Sequence, residues 1–123
     1  MSAPREGLPA VLIPADPDRD WELVELSRTA GPQLRQLQSA VGGYLEAVRL
    51  PLMGILWCNE EGALNGLPLN RFASTIALQS IVGDVIITGE ADADGDVTAI
   101  DDEWIQRVQE RKELRAHAGD SGR

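Results

Sequence analysis

Cysteine, histidine and lysine are nearly missing from this chain. Its 123 residues hold one cysteine, Cys58, one histidine, His117, and one lysine, Lys112. A single cysteine excludes an internal disulfide and a Cys-rich zinc site. A nucleophile needs a base within reach, usually histidine, and the only one lies in the C-terminal tail. Cys58 therefore reads as a small buried apolar residue, and no catalytic residue, enzymatic activity or cofactor is expected. Cations are scarce as a class: 11 Lys and Arg stand against 20 Asp and Glu, a net charge of −9. Binding to nucleic-acid phosphate relies on basic groups that release counterions, so direct nucleic-acid binding is not expected. Long apolar runs are also missing, and Met1-Ser2-Ala3-Pro4-Arg5-Glu6-Gly7 has no apolar stretch of the signal-peptide kind. A cytoplasmic protein without membrane attachment is the expectation.

What is there suffices for one hydrophobic core. Residues 1–9 read as a flexible N-terminus, 10–115 as a single domain and 116–123 as a polar tail. Ala10-Val11-Leu12-Ile13 reads as a buried strand and residues 21–26 as its hairpin partner, across the turn-rich stretch 14–20. A helix follows, with Pro32 near its start, Thr29 or Gly31 as cap, and Gly42-Gly43 as its stop. Leu34, Leu37 and Val41 would line its buried face. Residues 44–50 and 54–59 read as two more strands, 71–77 as a short helix, and 81–89 as containing the last strand. Asp101 or Asp102 can cap a C-terminal helix that buries Trp104, Ile105 and Val108 and carries Arg107, Arg111, Lys112 and Arg115 toward its end. The fold class is α+β: a mixed sheet of four to five strands, one helix packed after the second strand, and a C-terminal helix.

Two acidic readings compete with plain solubility. Residues 90–101 match the register of a calcium loop in part, with Glu90, Asp92, Asp94 and Asp101 as candidate ligands and Gly95 at the turn position. The twelfth position holds Asp101 where a longer glutamate belongs, and a strand precedes the loop. A solvated turn followed by a helix cap accounts for the same residues. Asp84, Glu90, Asp92, Asp94, Asp96, Asp101, Asp102 and Glu103 also follow one another without a cation between them. That run suits a DNA mimic only if folding aligns it with Asp16, Asp18 and Asp20 at phosphate-like spacing.

The segment 58–71 is harder to explain as scaffold. It packs three asparagines, two glutamates and an arginine around its glycines. Asparagine offers paired donors and acceptors, and arginine a planar fork for carboxylate or phosphate. Two uses remain open. The side chains brace their own loop, or they form a binding surface of Glu46, Asn59, Glu60, Asn65, Asn70 and Arg71.

Four strings stand in order: residues 37–46 (LQSAVGGYLE), 58–62 (CNEEG), 66–73 (GLPLNRFA) and 83–89 (GDVIITG). Together they resemble the domain-of-unknown-function family numbered three-eight-four-six, small proteins of actinobacteria, their phages and mobile elements. The likeness runs from Ala10 to Val108. It implies a shared fold and genomic setting and brings no assigned activity; the family's polar pattern falls on Glu46, Asn59, Glu60, Gly62, Asn70 and Arg71. The expectation is a noncatalytic accessory or interaction protein of a phage or mobile element. It would bind a host protein or a small ligand through segment 59–71.

Overall fold

The computed structural model describes residues 7–121. Residues 1–6, most of the stretch expected to be loose, lie outside the described residues, as do 122 and 123. The first strand, β1 (Leu8–Ile13), starts two residues earlier than its apolar core suggests. Its Leu8 and Ala10 are buried on one face and its Val11 and Ile13 on the other, the mark of a strand covered on both sides. β2 (Glu22–Leu26) pairs with it antiparallel, Leu8 opposite Leu26. Then come α1 (Ala30–Val41), β3 (Leu45–Leu50), β4 (Gly54–Asn59), α2 (Arg71–Ala77), β5 (Val85–Thr88) and α3 (Asp102–Ser121).

The strands form one sheet in the order β2-β1-β5-β4-β3. Every pair in it is antiparallel, so the sheet is not mixed as expected. The connection from β4 to β5, residues 60–84, is long enough for a crossover, but it spends its length on a self-bonded loop and the short helix α2 at one end of the sheet. The chain stays at one end and β5 turns back between β1 and β4. That end gathers the last residues of β1 and β4 and the first residues of β2, β3 and β5. This is the loop end.

α1 packs on one face, over β3, β4 and β5. Leu37, Leu8, Ala10, Leu26 and Ile86 are buried there. Thr29 is its N-cap residue and Gly42 closes it in the left-handed conformation, φ 80°. Pro32 falls in the first turn, where its missing N–H leaves no helical bond unmade. Leu34, expected on the buried face, is 48% exposed; Leu37 and Val41 are buried, and Ala40 packs beside them.

The opposite face holds the larger core, with Val11, Ile13, Val48, Leu50, Leu56, Val85 and Ile87 beneath Trp104 and Val108 of α3 and Ala73 of α2. Each such side chain, fully withdrawn from water, contributes about 1.5–3 kcal/mol. Trp21, Phe72 and Trp104, three of the chain's five aromatic residues, meet in this layer with ring centroids 4.5–6.3 Å apart. The Asp101 carboxylate accepts from the Trp104 amide at 3.3 Å, the cap expected there. α3 then runs across the sheet and through much of the stretch expected as a tail. Its arginines consequently lie mid-helix rather than at the terminus; Arg107 pairs within the helix with Glu103, and Arg111 and Arg115 serve tertiary contacts. Arg115 donates to the Pro17 and Asp18 carbonyls at 2.8 and 3.2 Å and pairs with Asp20 at 2.6 Å.

Gly54, first in β4, has φ 110°, and a Cβ there would run into the Thr88 carbonyl of β5. Gly54→Ala should lower stability by about 2–4 kcal/mol, read as a shift of the urea midpoint with unchanged slope.

Candidate functional site

The six residues singled out from sequence separate into two kinds. Asn59 and Asn70 are buried, 6% and 1% exposed, whereas Glu46, Glu60, Asn65 and Arg71 face water. Segment 59–71 crosses the loop end, so all but Glu46 belong to one stretch of surface or the layer just beneath it.

Asn70 is the N-cap of α2, and its side-chain oxygen accepts from the Ala73 amide at 3.1 Å. Its side-chain nitrogen donates to the Ile13 carbonyl at the end of β1 and to the Gly83 carbonyl before β5, both at 3.0 Å. Its backbone N–H donates to Ile81 and its carbonyl accepts from Ser74. One residue thus fastens two strands and a helix, and its amide has no free donor to offer a ligand.

Asn59 does the same on the α1 side. Its side chain donates to the Val41 carbonyl, the last of α1, at 3.2 Å and accepts from the Glu61 amide at 2.8 Å. Between the two asparagines the chain bonds to itself: Gly62 to Asn59, Asn65 to Glu61, Gly66 to Ala63 and Leu67 to Gly62. The loop is held at both ends and along its middle, and it displays Glu60, Glu61, Leu64 and Asn65. Leu64 is 86% exposed.

Glu46 lies beside the start of the segment, on edge strand β3 directly opposite Cys58. The Cys58 thiol is within 3.7 Å of the Glu46 carbonyl. Burial, and secondarily the Glu46 charge, push its pKa up to about 11, so the thiol stays protonated at neutral pH. The side chain of His117 lies outside the described residues.

The acidic loop lies at the other end of the sheet, beyond β5. The Asp92 carboxylate accepts from the amides of Asp94 and Asp96 at 2.9 and 3.0 Å, closing a short turn. Asp92, Asp94 and Asp96 can bring one oxygen each within 4.8 Å of one another. That trio is not the expected set: Asp101 is engaged as the cap of α3, and Asp96 takes its place beside Asp92 and Asp94. Asp16, Asp18 and Asp20 stand at the loop end, so no single stripe joins the two acidic groups. Asp20 is paired with Arg115 and Asp84 with Arg19, the latter at 3.5 Å.

A hollow of about 260 Å³ lies beside Glu90, Thr98 and Asp101, and two others matter here. The larger, about 550 Å³, is a groove between α1 and strands β1 and β2 that is lined by no residue of segment 59–71. The smaller, about 220 Å³, opens at the loop end beside Arg71 and is also lined by Arg19, Trp21, Phe72 and Arg111. Sequence reading did not join these five, which come from the β1–β2 loop, α2 and α3 and share no spacing.

The family model described as "Domain of unknown function (DUF3846)" matches residues 11–113. No curated protein and no solved structure matches the chain.

Asn70→Ala would strip the cap of α2 and leave two buried carbonyls without a donor. The expected cost is about 3–5 kcal/mol in chemical denaturation, whereas Asn65→Ala, at an exposed position, should fall within about 0.5 kcal/mol. Cys58 gives a pH test. Because its folded pKa lies above that of the unfolded chain, its contribution to stability is intact below pH 9 and is lost as pH rises toward 11. Ultraviolet titration of the thiolate should show Glu46→Gln lowering that pKa while leaving it above 9, since burial is the larger cause.

Proposed function

We propose, for a chain that belongs to the DUF3846 family, a noncatalytic role: a cytoplasmic interaction protein of a phage or mobile element that grips a host protein through segment 59–71. The observation that carries this reading is an ordered loop holding an apolar side chain in water. Leu64 is 86% exposed although the loop beneath it is pinned by Asn59 and Asn70. Scattered surface leucines are common and mean little singly. Here the exposed leucine stands on a loop whose ordering cost is met before any partner arrives, and such preorganisation is what raises affinity. Glu60 and Glu61 beside it would favour a partner whose apolar socket is rimmed by cations. The noncatalytic part of the reading rests on Cys58, a buried and protonated thiol.

The test uses in-cell crosslinking in the host with tagged wild type and with Leu64→Asp, followed by binding measurements on the purified partner. Wild type should retain one defined partner, and Leu64→Asp should weaken it at least about tenfold with an unchanged melting curve. Equal binding by both proteins, or no partner retained by wild type, would sink the proposal.

A further inference from the structure

The smaller cavity at the loop end has a chemistry of its own, and it rests on residues other than Leu64. Arg71, Arg19 and Arg111 line it together with Trp21 and Phe72. This concentrates three guanidinium groups around one hollow on a chain whose net charge is −9. Three carboxylates stand nearby. Asp84 accepts from the Ala15 amide at 2.9 Å and pairs with Arg19, and Asp20 pairs with Arg115; Asp16, on the wall itself, accepts from the Asp18 amide at 2.9 Å and has no cation partner among the described residues. Arg71 and Arg111 have no carboxylate partner among the described residues.

Each of these two arginines is suited to a ligand in a different way. Arg71 is the first residue of α2 and is exposed; Asn70, bonded to both strands, fixes where its backbone sits. Arg111 lies over the Trp21 ring, its guanidinium carbon 4.2 Å from the ring centroid, where cation–π attraction holds the plane of the fork. Its Nε is buried and has no hydrogen-bond partner among the described residues. An unmet buried donor on a cation costs free energy, and an oxyanion drawn to the same guanidinium would offset part of that cost. The rings of Trp21 and Phe72, 4.5 Å apart, supply an apolar wall next to these donors.

We infer that this cavity is a binding site for a small oxyanion: a phosphate or carboxylate carried on one compact apolar body, with the oxygens toward Arg71 and Arg111 and the body against Trp21 and Phe72. The volume sets the size. At about 220 Å³ the hollow is smaller than the roughly 300–1,000 Å³ of drug-sized sites, and it suits an anionic head with one ring or a short chain. Bidentate contact from a guanidinium favours planar or tetrahedral oxyanions over halides.

Phenyl phosphate, benzoate and inorganic phosphate serve as probes, titrated into the intact protein at low salt by calorimetry and by amide chemical shifts. Phenyl phosphate or benzoate, whichever head the site prefers, should saturate below about 1 mM and bind at least about tenfold tighter than inorganic phosphate, with shifts centred on residues 13–21, 69–72 and 111. Arg71→Ala should weaken that probe about tenfold, Arg71→Lys should restore part of the loss, and added salt should weaken binding throughout. Arg71 is exposed and bears no tertiary bond through its guanidinium, so the melting curve of these variants should match wild type. The inference is overturned if neither ring-bearing probe saturates by about 10 mM, if Arg71→Ala binds as wild type does, or if the shifts centre on the α1 groove. Leu64→Asp leaves this site intact, so loss of the host partner and loss of the anion can be told apart.

Discussion

The side-chain amide of Asn70 is the constraint on which both candidate surfaces depend. It holds the Ile13 carbonyl, the Gly83 carbonyl and the Ala73 amide at once, within 3.0–3.1 Å, in a position that is 1% exposed. Each bond is worth only about 1 kcal/mol net, yet an orphaned buried carbonyl costs more than the bond contributed. The asymmetry makes Asn70 hard to replace. Aspartate would keep the cap to Ala73 but would turn oxygen toward two carbonyl oxygens. Because the three partners belong to β1, to the approach to β5 and to α2, the amide sets how the β4–β5 connection closes the end of the sheet.

Everything at the loop end follows from that closure. On one side of Asn70 the chain is carried back to Asn59, whose bond to the end of α1 fixes the far anchor of the loop. On the other side, Arg71 begins α2 and Phe72 meets Trp21. α3 completes the arrangement from across the sheet. Its start is fixed by the Asp101 cap and by the Trp104 ring nitrogen donating to the Met53 carbonyl at 3.0 Å, and its middle delivers Arg111 and Arg115 to the loop end. Arg115 is engaged by loop carbonyls and Asp20, while Arg111 keeps a donor free. Two arginines one helical turn apart therefore do different work.

Local signals were legible in the sequence wherever the determinant is local. The bounds of α2, the glycine stop of α1 and the aspartate cap of α3 follow from residues within a few positions of each boundary. The direction of β5 was not legible, because it depends on where the long connection 60–84 packs and on which strands its neighbours are. Leu34 fits a helical period as well as Leu37 does, yet α1 lies over β3, β4 and β5 and leaves that edge of its surface in water. Segment 59–71 is unusually polar in the sequence, but a bracing asparagine and a displayed one are the same letter. Burial alone divides Asn59 and Asn70 from Asn65. The cavity beside Arg71 was invisible for a further reason: its arginines and rings come from three distant stretches, with no periodicity to announce their meeting.

The acidity of the chain bears on recognition differently from what its size suggests. Screening limits charge effects between exposed groups to about 8 Å at physiological ionic strength. The Asp92–Asp94–Asp96 cluster sits at the opposite end of the sheet from the cavity and is beyond that reach for most purposes. An approaching anion meets a weakly repulsive body and then, within the last few ångströms, two guanidinium groups without carboxylate partners. Such a surface slows encounter and rewards only close, oriented contact. The same separation serves the loop: Glu60 and Glu61 act on a partner within contact range, where their local charge and not the net −9 decides the fit.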